Sequence, residues 1–353
     1  MKNMGAIPKA STLSFRYGIS TGATKAGINM KRSDISKERI AHILKKDAEE
    51  FVGSGYADAA DLLTNGRFAK YNGNINHFLA SISQRKKLDL LLVIAIGKID
   101  NNLKCEFKRP DLVNLIFFSR LNAFAGQLEK LTGKKVSVAI AIENTFFDKH
   151  VLRVPDPMYT RTTTVSSKRM VSDFGLKHLH LYPIDRFLSG KKYLRDFYSS
   201  VSSLDKKKAS IRGLSEFKTF YRVFYESYPT TTFEEAVRLY TTPTSKKAIA
   251  EWAADSTIRY ISFFRARDEM DFWGTNGEYV RTSVSPRKGV LQFEYGVGRM
   301  SPLHGMATYN NGKISTERFY DVVMALHKKG RMPVWYYNGA PFCADISGIK
   351  FDA

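Results

Sequence analysis

His304 is the residue of this chain best suited to carry protons, because imidazole titrates near neutral pH. It is flanked by Pro302 and Gly305, at the end of a stretch, residues 279–309, that combines strand patterning with polar side chains. A histidine held where the backbone turns is a candidate acid or base. The alternative is that this segment is a plain turn.

The stretch before this histidine offers a cation and two hydroxyls on one face of a predicted strand. Apolar and polar residues alternate over 280–285, as in a half-buried strand. A second extended run follows at 290–295, and the residues between them, 286–289, have turn chemistry. We therefore predict a β-hairpin over 279–295. Its candidate site residues are Arg281, Ser283, Ser285 and Lys288.

Two continuous apolar runs predict the centre of the fold. Leu88 to Ile96 and Lys135 to Ile142 have the length and composition of strands buried on both faces. Between them, Leu112 to Thr132 has helical periodicity and is followed by Gly133. A helix of that length can make the crossover that parallel pairing requires. The predicted fold class is α/β, Rossmann-like, with a mainly parallel central sheet, helices on both faces and the added hairpin.

Polar residues follow both of these strands, at the end where α/β sheets bind ligands. The loop after the first strand holds four positive charges between residues 97 and 111, and a carboxylate and an amide directly follow the second strand. The candidates in these loops are Lys98, Asn101, Lys104, Glu143 and Asn144.

The rest of the chain is assigned from periodicity, capping residues and breakers. The predicted segments are two helices within Lys37 to Leu63 separated at Gly53 and Gly55, a short helix over Ile75 to Gln84, a long helix from Lys246 to about Asp271, a helix over Ser315 to Lys329 and a strand over Pro333 to Tyr337. We divide the chain into a basic N-terminal arm, 1–33, and a single α/β catalytic domain, 34–353. His178 and His180 share one side of a short alternating strand, but no third ligand is evident nearby, so we predict no metal site.

The composition of the chain limits the kinds of partner that it can bind. The 353 residues include 55 Lys and Arg against 34 Asp and Glu, a net charge of +21. Such a field attracts anions, so a solvated surface, a nucleic acid or a phosphorylated substrate are all open readings. The two cysteines form no disulfide framework, which favours a reducing, cytoplasmic setting. The apolar runs are too short to span a bilayer, so no membrane partner is predicted. The oligomeric state is left open.

Two ordered sets of these residues match a known pattern. The first is a loop of the type P-x-K-S-x-N-x-x-K, then P-D and a helix, then a strand ending in S-D-G-x-x-F. The residues laid on it are Lys98, Asn101, Lys104, Pro110-Asp111, Glu143-Asn144 in place of Asp-Gly, and Phe146. The second is R-L-S-I-H-P, a lysine, then P-W-H-G/N. The residues laid on it are Arg281, Ser283, Ser285-Pro286, Lys288 and Pro302-Leu303-His304-Gly305.

Over residues 88–148 and 279–310 the chain thus resembles the isocyanide (isonitrile) synthases, which include enzymes of the bacterial pyoverdine and fungal dityrosine pathways. Ser285 stands where that family has a strand histidine, and Leu303 where it has a tryptophan. The resemblance implies an enzyme that condenses an amino acid or related amine with ribulose 5-phosphate to form an isonitrile, without a metal or organic cofactor.

The resemblance also implies roles for the candidate residues. His304, Glu143 and Arg281 would be catalytic, and the remaining loop and strand residues would bind the two substrates. The alternative reading is a basic nucleic-acid-binding or RNA-dependent factor, in which residues 1–33 and 98–109 contact phosphates.

Overall fold

The computed structural model describes residues 29–94, 110–142, 159–187, 199, 208–226, 242–269, 278–284, 288–297, 305–318, 322 and 331–348. Within these ranges the helices are α1 (Lys37–Phe51), α2 (Ala59–Asn65), α3 (Ile75–Ser83), α4 (Leu112–Thr132), α5 (Tyr159–Asp173), α6 (Lys208–Arg212), α7 (Ser215–Glu226) and α8 (Pro243–Glu269). The strands are β1 (Asn29–Asp34), β2 (Ala69–Tyr71), β3 (Leu88–Ile94), β4 (Val136–Ile142), β5 (Leu179–Pro183), β6 (Val280–Ser283), β7 (Leu291–Phe293), β8 (Gly305–Asn310), β9 (Lys313–Arg318), β10 (Arg331–Tyr337) and β11 (Ala340–Asp345).

The larger sheet contains the two strands predicted from the apolar runs. Its order is β2-β7-β6-β3-β4-β5. β3 and β4 pair in parallel along their whole length, from Leu88 opposite Val136 to Ile94 opposite Ile142. β6 and β5 flank this pair in the same direction. The predicted α/β fold with a mainly parallel sheet is confirmed.

Helix α4 lies between β3 and β4 in the chain, and its bounds are those predicted from the periodicity of the sequence. Its first turn is capped by Asp111. It ends at Gly133, whose φ of 65° is the left-handed conformation that glycine adopts without strain. The rings of Phe117 and Phe124 are buried and pack at 6.0 and 6.3 Å from the ring of Phe68. These contacts fix the helix on one face of the sheet.

β6 and β7 are neighbours in the sheet, but they run in the same direction, so the predicted β-hairpin is wrong. Thr282 pairs with Leu291 in parallel. β7 is antiparallel to β2, and the Gly289 N–H continues that pairing by donating to the Asn72 carbonyl at 2.6 Å. Pairing with β2 therefore sets the direction of β7, which begins at the amino-terminal edge of the sheet.

A second sheet, not anticipated from the sequence, has the order β1-β10-β11-β8-β9. The predicted helix over 315–329 is wrong at residues 315–318, which belong to β9. β8 and β9 form a hairpin around Asn311 and Gly312, with φ angles of 47° and 91°. An Asn-Gly pair adopts this left-handed backbone readily and is the usual two-residue turn of a hairpin. Pairing across that turn outweighed the helical spacing of the apolar residues.

Several shorter predictions are confirmed. α1 and α2 are the two helices expected before residue 66, and Gly53 and Gly55 between them have φ angles of 67° and 98°. α3, α8 and β10 match the predicted short helix, long helix and C-terminal strand. Ile211, Ile258 and Ile261 join α6 and α8 in a small core of their own.

Residues 1–28 lie outside the described residues, and residues 29–34 form β1, which pairs in parallel with β10. The division of the chain into an arm and one catalytic domain therefore stays a prediction. Among the helices described above, none has both the length and the apolar character needed to cross a membrane.

Candidate active site at the carboxyl-terminal edge of the parallel sheet

Three segments that carry predicted site residues leave the large sheet at one edge. Ile94 and Ile142 are register partners and are the last residues of β3 and β4. Leu92 is the register partner of Thr282, one residue before the end of β6. Because parallel strands end on the same side of a sheet, the chain after each strand begins at this edge.

Six of the ten predicted site residues lie in the parts of the chain that follow these strand ends: Lys98, Asn101, Lys104, Glu143, Asn144 and Ser285. Glu143 is the residue after Ile142. The predicted residues that lie outside the described residues are Lys98, Asn101, Lys104, Glu143, Asn144, Ser285 and His304. Their roles stay predictions.

Arg281 and Ser283 are described, and they lie on the same face of β6. The alternate residue, Thr282, is buried and donates its hydroxyl hydrogen bond to the Leu91 carbonyl at 3.0 Å. Arg281 is exposed and Ser283 half-buried. The strand therefore presents a cation and a hydroxyl on one face, and Ser283 is its last residue before the carboxyl-terminal edge.

Lys288 lies at the other end of the sheet. It precedes β7, and β7 runs parallel to β6, so its backbone is at the amino-terminal edge. Gly289 beside it approaches Gly73, in the turn that follows β2. The structure thus separates the exposed Lys288 from Ser283, although only four residues lie between them in the chain.

Asp111 is a buried acidic residue at the carboxyl-terminal edge that the sequence indicated only as a helix start. Its Oδ1 accepts hydrogen bonds from the backbone N–H groups of Val113 and Asn114, at 3.1 and 3.2 Å. Its Oδ2 accepts from the N–H of Ala307 at 3.1 Å. The capping pattern was visible in the sequence. The contact to Ala307, 196 positions away, had no local signal.

Tyr295 is buried beside this carboxylate. Burial raises the pKa of its hydroxyl, the charge of Asp111 raises that pKa further, and the nearby Asn114 side chain acts in the opposite direction. The ring packs edge-on against Phe117 at 4.6 Å. Tyr295 is therefore a neutral phenol at physiological pH, fixed beside the start of α4.

The bond between Asp111 and Ala307 links two segments that carry predicted residues. Asp111 caps α4, and only Pro110 separates it from residues 95–109, which lie outside the described residues. Ala307 is buried in β8, whose first residue, Gly305, directly follows His304. Asp111 and β8 are thus in contact at the start of α4.

The two histidines of the β5 region do not form a metal site with any other described residue. His178 is buried, and its Nδ1 lies 3.1 Å from the Val136 carbonyl and 3.8 Å from the Glu129 carboxylate. His180 is exposed. Over the described ranges, no three His, Cys, Asp or Glu residues are grouped as metal ligands. His178 has a structural role in joining α4 to the sheet.

A groove of about 440 Å³ lies between α5 and the outer strand β5. Lys168, Lys177, His180 and Tyr182 contribute to its lining. Of the predicted site residues that the structure describes, Arg281, Ser283 and Lys288, none lines it.

The structure is that of an α/β protein with a mainly parallel sheet, and polar residues follow its strands in the chain at the carboxyl-terminal edge. The chain is similar to the crystal structure of the PvcA protein from Pseudomonas aeruginosa, with a TM-score of 0.53 and 13% sequence identity over 86% of this chain and 91% of that one. At this identity the similarity shows a shared fold. No protein-family model and no curated protein sequence matches the chain.

Proposed function

We propose that this protein is an isonitrile synthase-like enzyme that condenses an amino acid or related amine with ribulose 5-phosphate. The observation that carries the proposal is the common edge at which β3, β4 and β6 end. All three segments that follow carry residues of the two motifs. The shared fold with PvcA supports the same assignment.

The sugar phosphate needs cations and hydrogen-bond donors, because its phosphate is a dianion with several acceptor oxygens. Lys98, Asn101 and Lys104 follow β3 and are assigned to this group. Arg281 and Ser283 on β6 are assigned to the amino-acid carboxylate and the reacting carbons, with Ser285 beyond them. Lys288 is left out of the site because its backbone lies at the opposite edge.

Proton transfer is assigned to His304 and Glu143. Joining an amine to a ketose carbonyl expels water, so one group must protonate the departing oxygen while another removes protons from nitrogen. A histidine and a carboxylate can divide these tasks when their pKa values differ. Asn144, next to Glu143, would orient the bound amine.

The test is direct synthesis. Purified protein is incubated with pooled amino acids and uniformly ¹³C-labelled ribulose 5-phosphate, and products are examined by mass spectrometry. We expect one amine to gain a single labelled carbon and lose two hydrogens, and the signal to be absent without the sugar phosphate or with heat-inactivated protein.

Failure of every amine to gain a labelled carbon would overturn the proposal. The net charge of +21 makes nucleic acid the partner to test next. RNA that copurifies through a high-salt wash, or RNA binding that weakens steeply with salt, would then favour the RNA-dependent reading.

A further inference from the structure

We propose that Asp111 is a positioning residue that holds β8, the strand that begins directly after His304, at the start of α4. The proposal rests on the function proposed above, because it assigns Asp111 a role in that reaction. Asp111 does not itself touch substrate in this assignment. It acts on catalysis through the strand that it binds.

Both carboxylate oxygens of Asp111 are in use, and they serve different parts of the chain. Oδ1 accepts from two N–H groups of its own helix, and Oδ2 accepts from the Ala307 N–H. The side chain is 0% exposed. A buried polar side chain is costly unless its atoms are hydrogen-bonded, so the bond to Ala307 satisfies the second carboxyl oxygen of Asp111.

A helix cap alone needs only one of these oxygens. Asp58 at the start of α2 shows the simpler arrangement, since its Oδ1 accepts from the Asp61 N–H at 2.8 Å and the residue is exposed. Asp111 keeps the same capping contact and adds a partner on β8. The added contact ties the larger sheet's crossover helix to the second sheet.

The consequence falls on the segment before β8. Ala307 lies three residues after His304, which is at most about 10 Å of extended chain. Holding Ala307 therefore limits how far the backbone of His304 can lie from Asp111. Because a displacement of roughly 1 Å can cost about 100-fold in rate, loss of this contact should appear in turnover.

Asp111→Asn separates the two contacts. The substituted side chain keeps its volume and one oxygen, which the two helix N–H groups are expected to retain because they outnumber the single N–H of Ala307. Its amide nitrogen would then face the Ala307 N–H, donor against donor. Asp58→Asn is the matched control, because it makes the same change at a cap that holds one N–H of its own helix.

Two readouts are taken on wild type and both variants. The first is amide hydrogen exchange at Ala307 and at Val113 and Asn114. For Asp111→Asn we expect exchange at Ala307 to accelerate at least about tenfold while the α4 amides change little. The second is isonitrile formation, for which we expect kcat to fall roughly 100-fold with less than about a twofold change in KM for ribulose 5-phosphate. Asp58→Asn should change neither.

Each outcome decides one of the two proposals. Unchanged exchange at Ala307, or faster exchange with normal kcat, would overturn the positioning role. A wild-type protein that makes no isonitrile would overturn the proposed function, and Asp111 would lose its catalytic assignment even if Ala307 exchanged faster. If Asp111→Asn does not fold, Asp111→Ser, which also caps with a single oxygen, is measured in its place.

Discussion

Arg120 and Asp47 form a two-point ion pair inside the protein, with the guanidinium Nε and Nη2 each 2.7 Å from a carboxylate oxygen. Arg120 lies on α4 and Asp47 on α1, and the arginine side chain is only 1% exposed. Its guanidinium also stacks on the Phe51 ring at 3.4 Å from the ring centre. The pair therefore locks the first helix onto the helix that positions the candidate site.

The first prediction concerns that pair. Asp47→Leu should lower the free energy of unfolding by about 3–5 kcal/mol, because it leaves a buried guanidinium without its counter-charge. The double variant Asp47→Leu/Arg120→Met removes both charges and should be less destabilised than Asp47→Leu alone. Urea denaturation with linear extrapolation measures both values. Equal losses in the two variants would argue against this account.

The second prediction concerns the candidate site. His304→Ala should abolish isonitrile formation with little change in melting temperature, because it removes an acid–base group and no described core contact. Lys98→Ala should chiefly raise KM for ribulose 5-phosphate, by about tenfold or more if the lysine pairs with the phosphate. Steady-state kinetics on the folded variants would measure these effects.

Lys288→Ala is the control for Lys98→Ala, because it removes the same charge at the opposite edge of the sheet. Its kinetic constants should stay within about twofold of wild type. If Lys288→Ala raised KM as much as Lys98→Ala, the separation of Lys288 from the site would be contradicted.

The third prediction concerns acid stability. Burial raises the pKa of Asp89, but hydrogen bonds from Lys87 and Ser137, at 2.6 Å each, together with nearby positive charge, outweigh it and hold the pKa below its usual value. A carboxylate with a depressed pKa stabilises the fold above its unfolded pKa and loses that contribution as the pH falls through its folded pKa.

The stability advantage of wild type over Asp89→Asn should therefore shrink as the pH is lowered from about 5 to about 2. Urea denaturation at each pH measures the difference. Ser137→Ala should reduce the same pH dependence in part, since it removes one of the two donors. A difference between wild type and Asp89→Asn that is constant with pH would show that the carboxylate charge is not the cause.

The fourth prediction contrasts two glycines. Gly312 has a φ of 91° in the β8–β9 turn, so Gly312→Ala should cost about 1–2 kcal/mol in the free energy of unfolding. Gly126 lies within α4, and an added methyl group there would meet the His178 ring at 3.6 Å, an ordinary contact distance. Gly126→Ala should stabilise the protein by about 0.5–1 kcal/mol. Thermal and urea denaturation would measure both, and the opposite order would contradict the assigned backbone conformations.

The sequence by itself determined the local elements of the large sheet. The apolar runs of β3 and β4, the periodicity of α4 and the glycine that ends it are all encoded within a few residues, so their bounds and the parallel order could be predicted. The Asn-Gly pairs at 311–312 and 338–339 were equally local signals for hairpins, and the first of them would have predicted a strand at residues 315–318, where the predicted helix is wrong.

Only the tertiary structure decided the direction of β7 and the second partner of Asp111. Periodicity says that residues 291–293 are extended, but their direction follows from pairing with β2, more than 200 positions earlier in the chain. The capping pattern at Asp111 predicts a bond to its own helix, while the bond to Ala307 depends on how two sheets pack. Hydrogen bonds and ion pairs between distant segments leave no local pattern in the sequence, because any residue of suitable chemistry can form them once the fold has brought the segments together.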